Sequence, residues 1–243
     1  MTGETMDKYG LLHIGKTGGT AANAVIKANN KRDVGEKVNC YKHKIGLRDV
    51  HNDDMCERLM FFIREPVSRY ISAFNSRLRM GAPRHHGEWS PREEVAFAHF
   101  KTPNQLAEAL SSEDVETREL AVGAMMGIRH LRRAYEHYLD SVALLEKDKD
   151  RIYFIAATET FTPDFDLMRK FLGVAPDIEL PTDDYGAHRT PDGFEKTVSE
   201  LGRKNVQDYY KTDYEIYNWC VKRREELVKL RTAELEDKAA AAQ

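Results

Sequence analysis

The sequence predicts an α/β fold in which a central parallel sheet is flanked by helices, with a helix-rich C-terminal half. Three short apolar runs are typical of buried strands, at 11–14, 59–63 and 151–157. Helical patterns follow the first two runs directly, at 20–29 and 67–79. Because strands that alternate with helices pair in parallel, these observations together favour the α/β class.

The first strand leads into a glycine-rich turn and the start of a helix. The apolar run 11–14 lies between Gly10 and Gly15, and Thr20 opens the helical pattern. The turn consists of Gly15, Lys16, Thr17, Gly18 and Gly19. Glycines let the backbone approach a ligand closely, and the free N–H groups at a helix start favour an anion. With the Lys16 ammonium, this turn is predicted to bind phosphate.

Residues 10–17, GLLHIGKT, also match the P-loop pattern GxxxxGK[ST] of nucleotide triphosphatases. In a P-loop the first glycine follows a strand, and the next four residues belong to the loop. Here those four residues are the apolar run 11–14, and the residues before Gly10 are too polar to form a buried strand. The additional turn residues come after Lys16 instead. This register argues against a triphosphatase.

The second strand, at 59–63, ends in Arg64, and Pro66 suits the first turn of the helix that follows. A triphosphatase would need an aspartate at this strand end to hold magnesium. Arginine is a phosphate ligand instead. Ser68 and Ser72 are four residues apart and share a helix face, so Ser72 can present its hydroxyl toward the site that Arg64 borders.

The remaining elements follow from shorter patterns. They are a strand at 37–41, a helical pattern from 91 onward, and helices at 115–147, at 162–172, at 194–210 and from 213 to about 236. The tail from 238 has no burying face and is expected to fray. Loop 77–92 is either a solvated surface loop or a lid that recognises the acceptor. Its basic residues favour an anionic acceptor; they are Arg77, Arg79, Arg84, His85 and His86.

Two of these stretches resemble one family. HIGKTGGT, residues 13–20, resembles the 5′-phosphosulfate loop of sulfotransferases that use 3′-phosphoadenosine 5′-phosphosulfate (PAPS). FFIREPVSRYISAFNSR, residues 61–77, resembles their 3′-phosphate motif. The nearest branch includes the heparan-sulfate 2-O and 6-O sulfotransferases and bacterial relatives, where HxPKTGGT is usual. Gly15 replaces the proline of that pattern, and weaker similarity extends the resemblance to most of 8–220.

The resemblance implies the P-loop-like sulfotransferase fold and a role for each matched residue. Lys16 would stabilise the bridging oxygen and the charge that develops on the leaving 5′-phosphate. Backbone N–H groups of residues 17–20, with the hydroxyls of Thr17 and Thr20, would hold that phosphate. Arg64 and Ser72 would bind the 3′-phosphate. Positioning and charge stabilisation dominate such a transfer, so no metal is needed, and no carboxylate or histidine cluster suggests one.

The acceptor needs a general base, and histidine or glutamate are the usual choices. In the resembling branch a histidine between the two phosphate motifs often serves, and His43 in KHKIGLRDV matches that position. His51 is the second candidate. His13, in the first strand, is expected to pack or to bond to the backbone. Arg189, in the late loop 174–193, is a candidate to close over the nucleotide, from its charge and the family's late basic contacts.

Composition limits the remaining classes. The 243 residues are 41% hydrophobic and 32% charged, which suits one soluble domain over 1–243, with a core at 8–220 and a C-terminal helix and tail at 221–243. No apolar run approaches the ~20 residues of a membrane span, and the start lacks a signal peptide's apolar core. Three cysteines without metal spacing suggest reduced thiols in the cytoplasm. A net charge of −3 argues against nucleic-acid binding.

Three functions from different classes remain open at this point. The first is an enzyme, a PAPS-dependent sulfotransferase that acts on a hydroxyl or amine of a carbohydrate or small metabolite by in-line transfer. The second is a P-loop kinase or nucleotide triphosphatase. The third is a degenerate nucleotide-binding module with an interaction role, which the intact Lys16, Arg64 and Ser72 disfavour. Neither the acceptor nor the oligomeric state can be read from the sequence.

Overall fold

A computed structural model describes residues 7–182 and 190–241. Among them, four strands form one sheet: β1 (Asp7–Leu12), β2 (Val38–Cys40), β3 (Cys56–Ile63) and β4 (Ile152–Ala157). The sheet order is β2-β1-β3-β4, and every pairing is parallel. Tyr9 pairs with Val38 on one side of β1, and Leu11 pairs with Met60 on the other. The predicted α/β class and the parallel sheet are therefore confirmed.

Helices connect and flank these strands. In chain order they are α1 (Gly19–Arg32), α2 (Leu47–Asn52), α3 (Pro66–Leu78), α4 (Pro91–His99), α5 (Pro103–Ala109), α6 (Val115–Gly127), α7 (Arg129–Arg132), α8 (Tyr135–Leu139), α9 (Val142–Lys147), α10 (Phe161–Leu172), α11 (Glu200–Tyr209) and α12 (Lys211–Ala241). Three of them, α3 to α5, begin with proline after a capping side chain, Glu65, Ser90 or Thr102. Within the described ranges, every helix falls short of the length and apolar character that crossing a membrane requires.

The described residues divide into two compact units, each discontinuous in sequence. The sheet unit comprises those within Met1–Arg64, Tyr135–Pro181 and Glu215–Gln243. Side chains alternate across β3, so that Phe61 and Ile63 join one apolar cluster while Met60 and Phe62 join another. Both faces of the sheet are thus covered, as parallel sheets require.

The helical unit comprises the described residues of Glu65–Ala134 and Thr182–Tyr214. Its core is one cluster to which α3 contributes Tyr70 and Phe74, and α4 contributes Phe97. The aromatic rings of Phe74 and Phe97 meet edge to face, with centroids 5.3 Å apart. The sequence prediction of a single domain concerns both units together and stays a prediction.

The first strand begins earlier than predicted. Tyr9 is buried and Gly10 lies inside β1, so the expectation that residues before Gly10 are too polar for a strand is wrong. The polar residues at its start are accommodated because Asp7 accepts a hydrogen bond from Asn39 and Lys8 pairs with Glu36. A Cβ at position 10 would lie 2.6 Å from the Tyr41 ring. The missing side chain of Gly10 therefore serves core packing.

Other helix boundaries also differ from the prediction. The run 115–147 is not one helix, because Ile128 is extended at φ −70° and ψ 117° and Asp140 is left-handed at φ 66°. The helix expected from 194 begins at Glu200, where the Ser199 hydroxyl caps it. In addition, α12 continues through Ala241, beyond the predicted helix end at about 236, and the fraying of the tail from 238 stays a prediction.

A buried ion pair joins α3 and α4 in the helical unit. Arg77 donates from Nε and Nη2 to the two Glu93 carboxylate oxygens, at 2.6 and 2.9 Å, and both side chains are buried. The same carboxylate accepts from the backbone N–H groups of Ser90 and Arg129. Burial opposes the charge on Glu93, but these hydrogen bonds outweigh it and lower its pKa to about 2.

Replacing Glu93 with glutamine is expected to lower the free energy of unfolding at neutral pH by about 3 kcal/mol, because the Arg77 charge is left buried without its counterion. Chemical denaturation followed by circular dichroism measures the change. The neighbouring Glu94 is exposed, so Glu94→Gln is the matched control and should leave stability unchanged.

The same pair sets an acid limit on stability. Since the Glu93 pKa falls from an ordinary 4.5 to about 2 on folding, its stabilisation is present above pH 4.5 and is lost as the pH falls toward 2. Between these values, wild type should lose more stability than Glu93→Gln. Equal acid sensitivity of the two proteins would show that Glu93 does not carry this dependence.

Candidate active site

The sheet order places the ends of β1 and β3 side by side at its centre. From β1 the chain continues to β2 on one side, and from β3 it continues to β4 on the other. Such a reversal is a topological switch point, where α/β proteins bind ligands beyond the carboxyl ends of the strands. The turn 13–18 follows β1, and Arg64 follows β3. Both predicted phosphate-binding stretches of the sheet unit thus begin at this point.

The turn after β1 has two left-handed residues, Lys16 at φ 69° and Gly18 at φ 83°. Helix α1 starts only at Gly19, so Lys16 lies in the turn and precedes the helix. In the P-loop register the GK[ST] residues open the helix and the first glycine ends the strand. Gly10 lies inside β1 instead, and the prediction that this is not a triphosphatase loop therefore has a structural basis.

The start of α1 is suited to an anion. Its N-cap is Gly18, no described side chain caps it, and its first turn contains no acidic residue. Helix N-terminal N–H groups without such partners carry a partial positive charge. Thr20, in this first turn, is half-buried. A fourteen-residue helix with a lysine-bearing turn before it is a fitting receptor for a phosphate group.

The Thr17 hydroxyl has a different role from the predicted one of phosphate ligand. Its side chain is 1% exposed, and its hydroxyl donates to the Ile14 carbonyl at 2.9 Å. The hydroxyl proton therefore stabilises the turn. Gly18 and Gly19 also serve packing, since a Cβ would lie 3.1 Å from the Phe161 ring at 18 and 3.1 Å from the His13 ring at 19.

Sequence reasoning did not identify Thr158, which follows β4. Its hydroxyl lies 2.9 Å from the Thr17 carbonyl and 3.1 Å from the Ile63 carbonyl, so it links the turn to the end of β3. The available signal was a hydroxyl residue directly after a buried strand. Its partners could not be named, because they depend on the strand order.

Arg64 is held by its backbone. The Tyr135 hydroxyl lies 2.6 Å from both the N–H and the carbonyl of Arg64, and the Tyr135 side chain is fully buried. The Arg64 side chain itself is half-buried at the end of β3. The contact of Tyr135 with Arg64 was not predicted from the sequence.

His43 lies against the phosphate-binding turn. Its ring stacks on the His13 ring, with centroids 3.8 Å apart and planes 29° from parallel. Its Nδ1 lies 3.1 Å from the His13 carbonyl oxygen. Because a carbonyl only accepts, Nδ1 carries the proton of the neutral ring, and Nε2 has the lone pair that a general base needs.

His51, the second candidate base, lies near the amino end of β3, and so at the opposite end of the strands from the turn. It comes five residues before β3 begins, and its Nδ1 lies 2.7 Å from the Oδ1 of buried Asp148, which precedes β4. The eight residues of β3 separate it from Arg64, a length of about 25 Å. His51 is therefore distant from Arg64, whereas His43 lies against the turn.

The other predicted residues have separate locations. Ser72 lies half-buried on α3 in the helical unit, and Arg189 falls outside the described residues. In loop 77–92, Arg77 is the buried partner of Glu93, and the guanidinium nitrogens of Arg79 are also buried. His85 and His86 are exposed, and Arg84 is half-buried. Arg77 therefore stabilises the unit and is not a surface residue for an acceptor.

These observations define an α/β protein with a lysine-bearing, glycine-rich turn at the switch point of its sheet. A family model described as "Sulfotransferase family" matches residues 7–219, and the chain belongs to that family. It is a transferase of the sulfuryl group. Comparison with curated proteins and with solved structures gave no significant match. The finer resemblance to the heparan-sulfate branch stays a prediction.

Proposed function

We propose that this sulfotransferase uses PAPS as donor and a hydroxyl or amine of a carbohydrate or small metabolite as acceptor. The observation that carries the proposal is the turn at 15–18, where Lys16 precedes the uncapped start of α1. PAPS carries a phosphosulfate and a separate 3′-phosphate, so a site for it needs two groups of anion ligands. The turn and Arg64, at the ends of adjacent strands, fit these two requirements.

When bound, PAPS supplies the sulfuryl group and a phosphate as its leaving group. Lys16 and the first N–H groups of α1 stabilise the negative charge that gathers on this phosphate, as preorganised donors do in other group transfers. Arg64 binds the 3′-phosphate through its guanidinium. Ser72 and Arg189 remain predicted ligands of the nucleotide. The transfer is proposed to proceed in line, without a metal.

His43 is the proposed general base. Its Nδ1–H is directed to the His13 carbonyl, which leaves Nε2 as the acceptor of the proton from the attacking hydroxyl or amine. Lys16 acts on the leaving side and His43 on the attacking side, so the two residues have distinct roles. The cytoplasmic location stays a prediction from the cysteine content, and the class of acceptor within carbohydrates and metabolites is left open.

Calorimetric titration with 3′-phosphoadenosine 5′-phosphate (PAP), and with ADP and ATP in the presence of magnesium, tests the donor. Wild type is expected to bind PAP selectively and independently of magnesium. Arg64→Ala should weaken PAP binding by about 10–100-fold, which corresponds to a lost charged hydrogen bond. Arg32 is an exposed arginine that pairs with Asp177, so Arg32→Ala is the matched control and should bind PAP like wild type.

Two other outcomes have clear meanings. Preference for ATP with magnesium, unaffected by Arg64→Ala, would contradict the PAPS proposal and support a kinase. Selective PAP binding without sulfuryl transfer to any of a panel of sugars and hydroxylated metabolites would support the nucleotide-binding module.

A further inference from the structure

Four of the exposed large apolar side chains of the described residues lie on two helices of the helical unit. Val95 of α4 and Val115, Val122 and Met126 of α6 have relative exposures of 54%, 54%, 39% and 57%. A groove of about 760 Å³ lies between these helices, with Val95 and Met126 in its walls. Clustered exposed apolar surface of this kind is typical of an interaction site. We call this surface the α4–α6 face.

The two helices run antiparallel. A Cβ on Gly127, at the end of α6, would lie 3.1 Å from the Arg92 Cβ near the start of α4. The backbone N–H of Arg129 also donates to Glu93. The groove therefore has Arg92 and Met126 at one end, and the opposite end contains His99, Glu116 and Glu119.

The groove thus has a basic end and an acidic end. Arg92, Glu116 and Glu119 are all exposed. In the described part of the helical unit, the ion pairs join other side chains. These three charges are therefore available to a partner.

Gly123 lies in the middle of α6 and lines the groove. No atom lies within 4 Å of the position that its Cβ would occupy. A glycine inside a helix is less stable than alanine, so internal packing gives no reason for it. A missing side chain on the outer surface of a helix does permit the backbone of a second helix to approach closely.

We propose that the α4–α6 face binds a second copy of this chain. In an isologous dimer each copy offers the same surface, so the surface must complement itself. Such a dimer can have its two-fold axis in the plane of the interface and perpendicular to the groove. Rotation about this axis places the basic end of one groove against the acidic end of the other. Arg92 of each copy then meets Glu116 and Glu119 of the other, and Gly123 lies near the axis. An axis along the groove would bring like charges together, so the charges select one arrangement.

Sedimentation velocity of the full chain over a micromolar concentration series tests the proposal. Wild type is expected to form a dimer that dissociates more readily at high salt. Arg92→Glu should raise the dissociation constant at least about tenfold, because both symmetric contacts become repulsive. The double variant Arg92→Glu with Glu119→Arg exchanges the two charges and should restore the dimer. Gly123→Gln should prevent close approach and give a monomer.

Leu201 is equally exposed, at 51%, but lies on α11 and does not line the groove. Leu201→Gln is therefore the matched control and should leave the dimer intact. Circular dichroism establishes that each variant is folded. A monomeric wild type, a dimer unaffected by Arg92→Glu and Gly123→Gln, or a charge exchange that fails to restore association would each overturn the proposal. PAP binding is measured separately and does not bear on these outcomes.

Discussion

Replacing Lys16 with glycine is expected to lower sulfuryl transfer about 10²–10³-fold, the usual effect of removing one preorganised donor of positive charge. The reason is that Lys16 lies in the turn before α1, where the leaving phosphate is proposed to bind. Steady-state transfer of labelled sulfate from PAPS measures the loss, on the acceptor that wild type uses. Binding of PAP should weaken as well, because the charge that Lys16 is proposed to stabilise is fully developed on the 5′-phosphate of this product.

Glycine is chosen as the replacement so that a loss of activity cannot be attributed to a loss of stability. Lys16 has φ 69°, a conformation that costs an L-residue roughly 1–2 kcal/mol and that glycine adopts freely. Lys16→Gly should therefore be at least as stable as wild type while losing activity. Lys27, exposed on α1, provides the control, since Lys27→Gln should keep full turnover. A Lys16→Gly protein that retains wild-type turnover would exclude the proposed role of this lysine.

Some residues of this site can be predicted from the sequence because the features that mark them are close together along the chain. The turn and its lysine can be recognised because strand, glycines and helix start are neighbours in sequence. Arg64 follows from the same logic at the end of β3. In both cases a short apolar run, its boundary and the next helix are enough to define the local fold and the direction in which ligands approach.

The supporting contacts are not local, and for this reason the sequence does not reveal them. Thr158 meets the turn and β3 only because β4 is the neighbour of β3. Tyr135 reaches Arg64 across 71 positions of sequence. Apolar periodicity indicates that such residues are buried, but the hydrogen-bond partner of a buried hydroxyl depends on tertiary packing.

The errors at helix and strand boundaries have a similar origin. The composition of 115–147 is helical throughout, and nothing in its apolar pattern marks the extended conformation of Ile128 or the left-handed one of Asp140. The polar start of β1 is stabilised by pairing with Glu36, just before β2, and with Asn39, within β2. At the start of β1, tertiary contacts thus override local preference.

Replacing His43 with asparagine is expected to reduce turnover about 10²–10⁴-fold, the contribution of a well-placed general base. The asparagine amide can still donate to the His13 carbonyl, so the segment after β2 should keep its position. PAP affinity should then equal that of wild type, since the variant removes only the proton acceptor. Steady-state sulfuryl transfer measures the turnover of both proteins, and calorimetric titration measures their affinity for PAP.

His51→Asn is the matched control, because His51 lies beside Asp148 near the amino ends of the strands, away from the turn. Its turnover should equal that of wild type at neutral pH. The stacked neighbour adds a second comparison: His13→Phe retains a ring against His43, whereas His13→Ala removes it. If stacking orients the base, the alanine variant should lose kcat with PAP binding intact, and the phenylalanine variant should recover most of it. Full activity in His43→Asn, or an equal loss in His51→Asn, would show that another group accepts the proton.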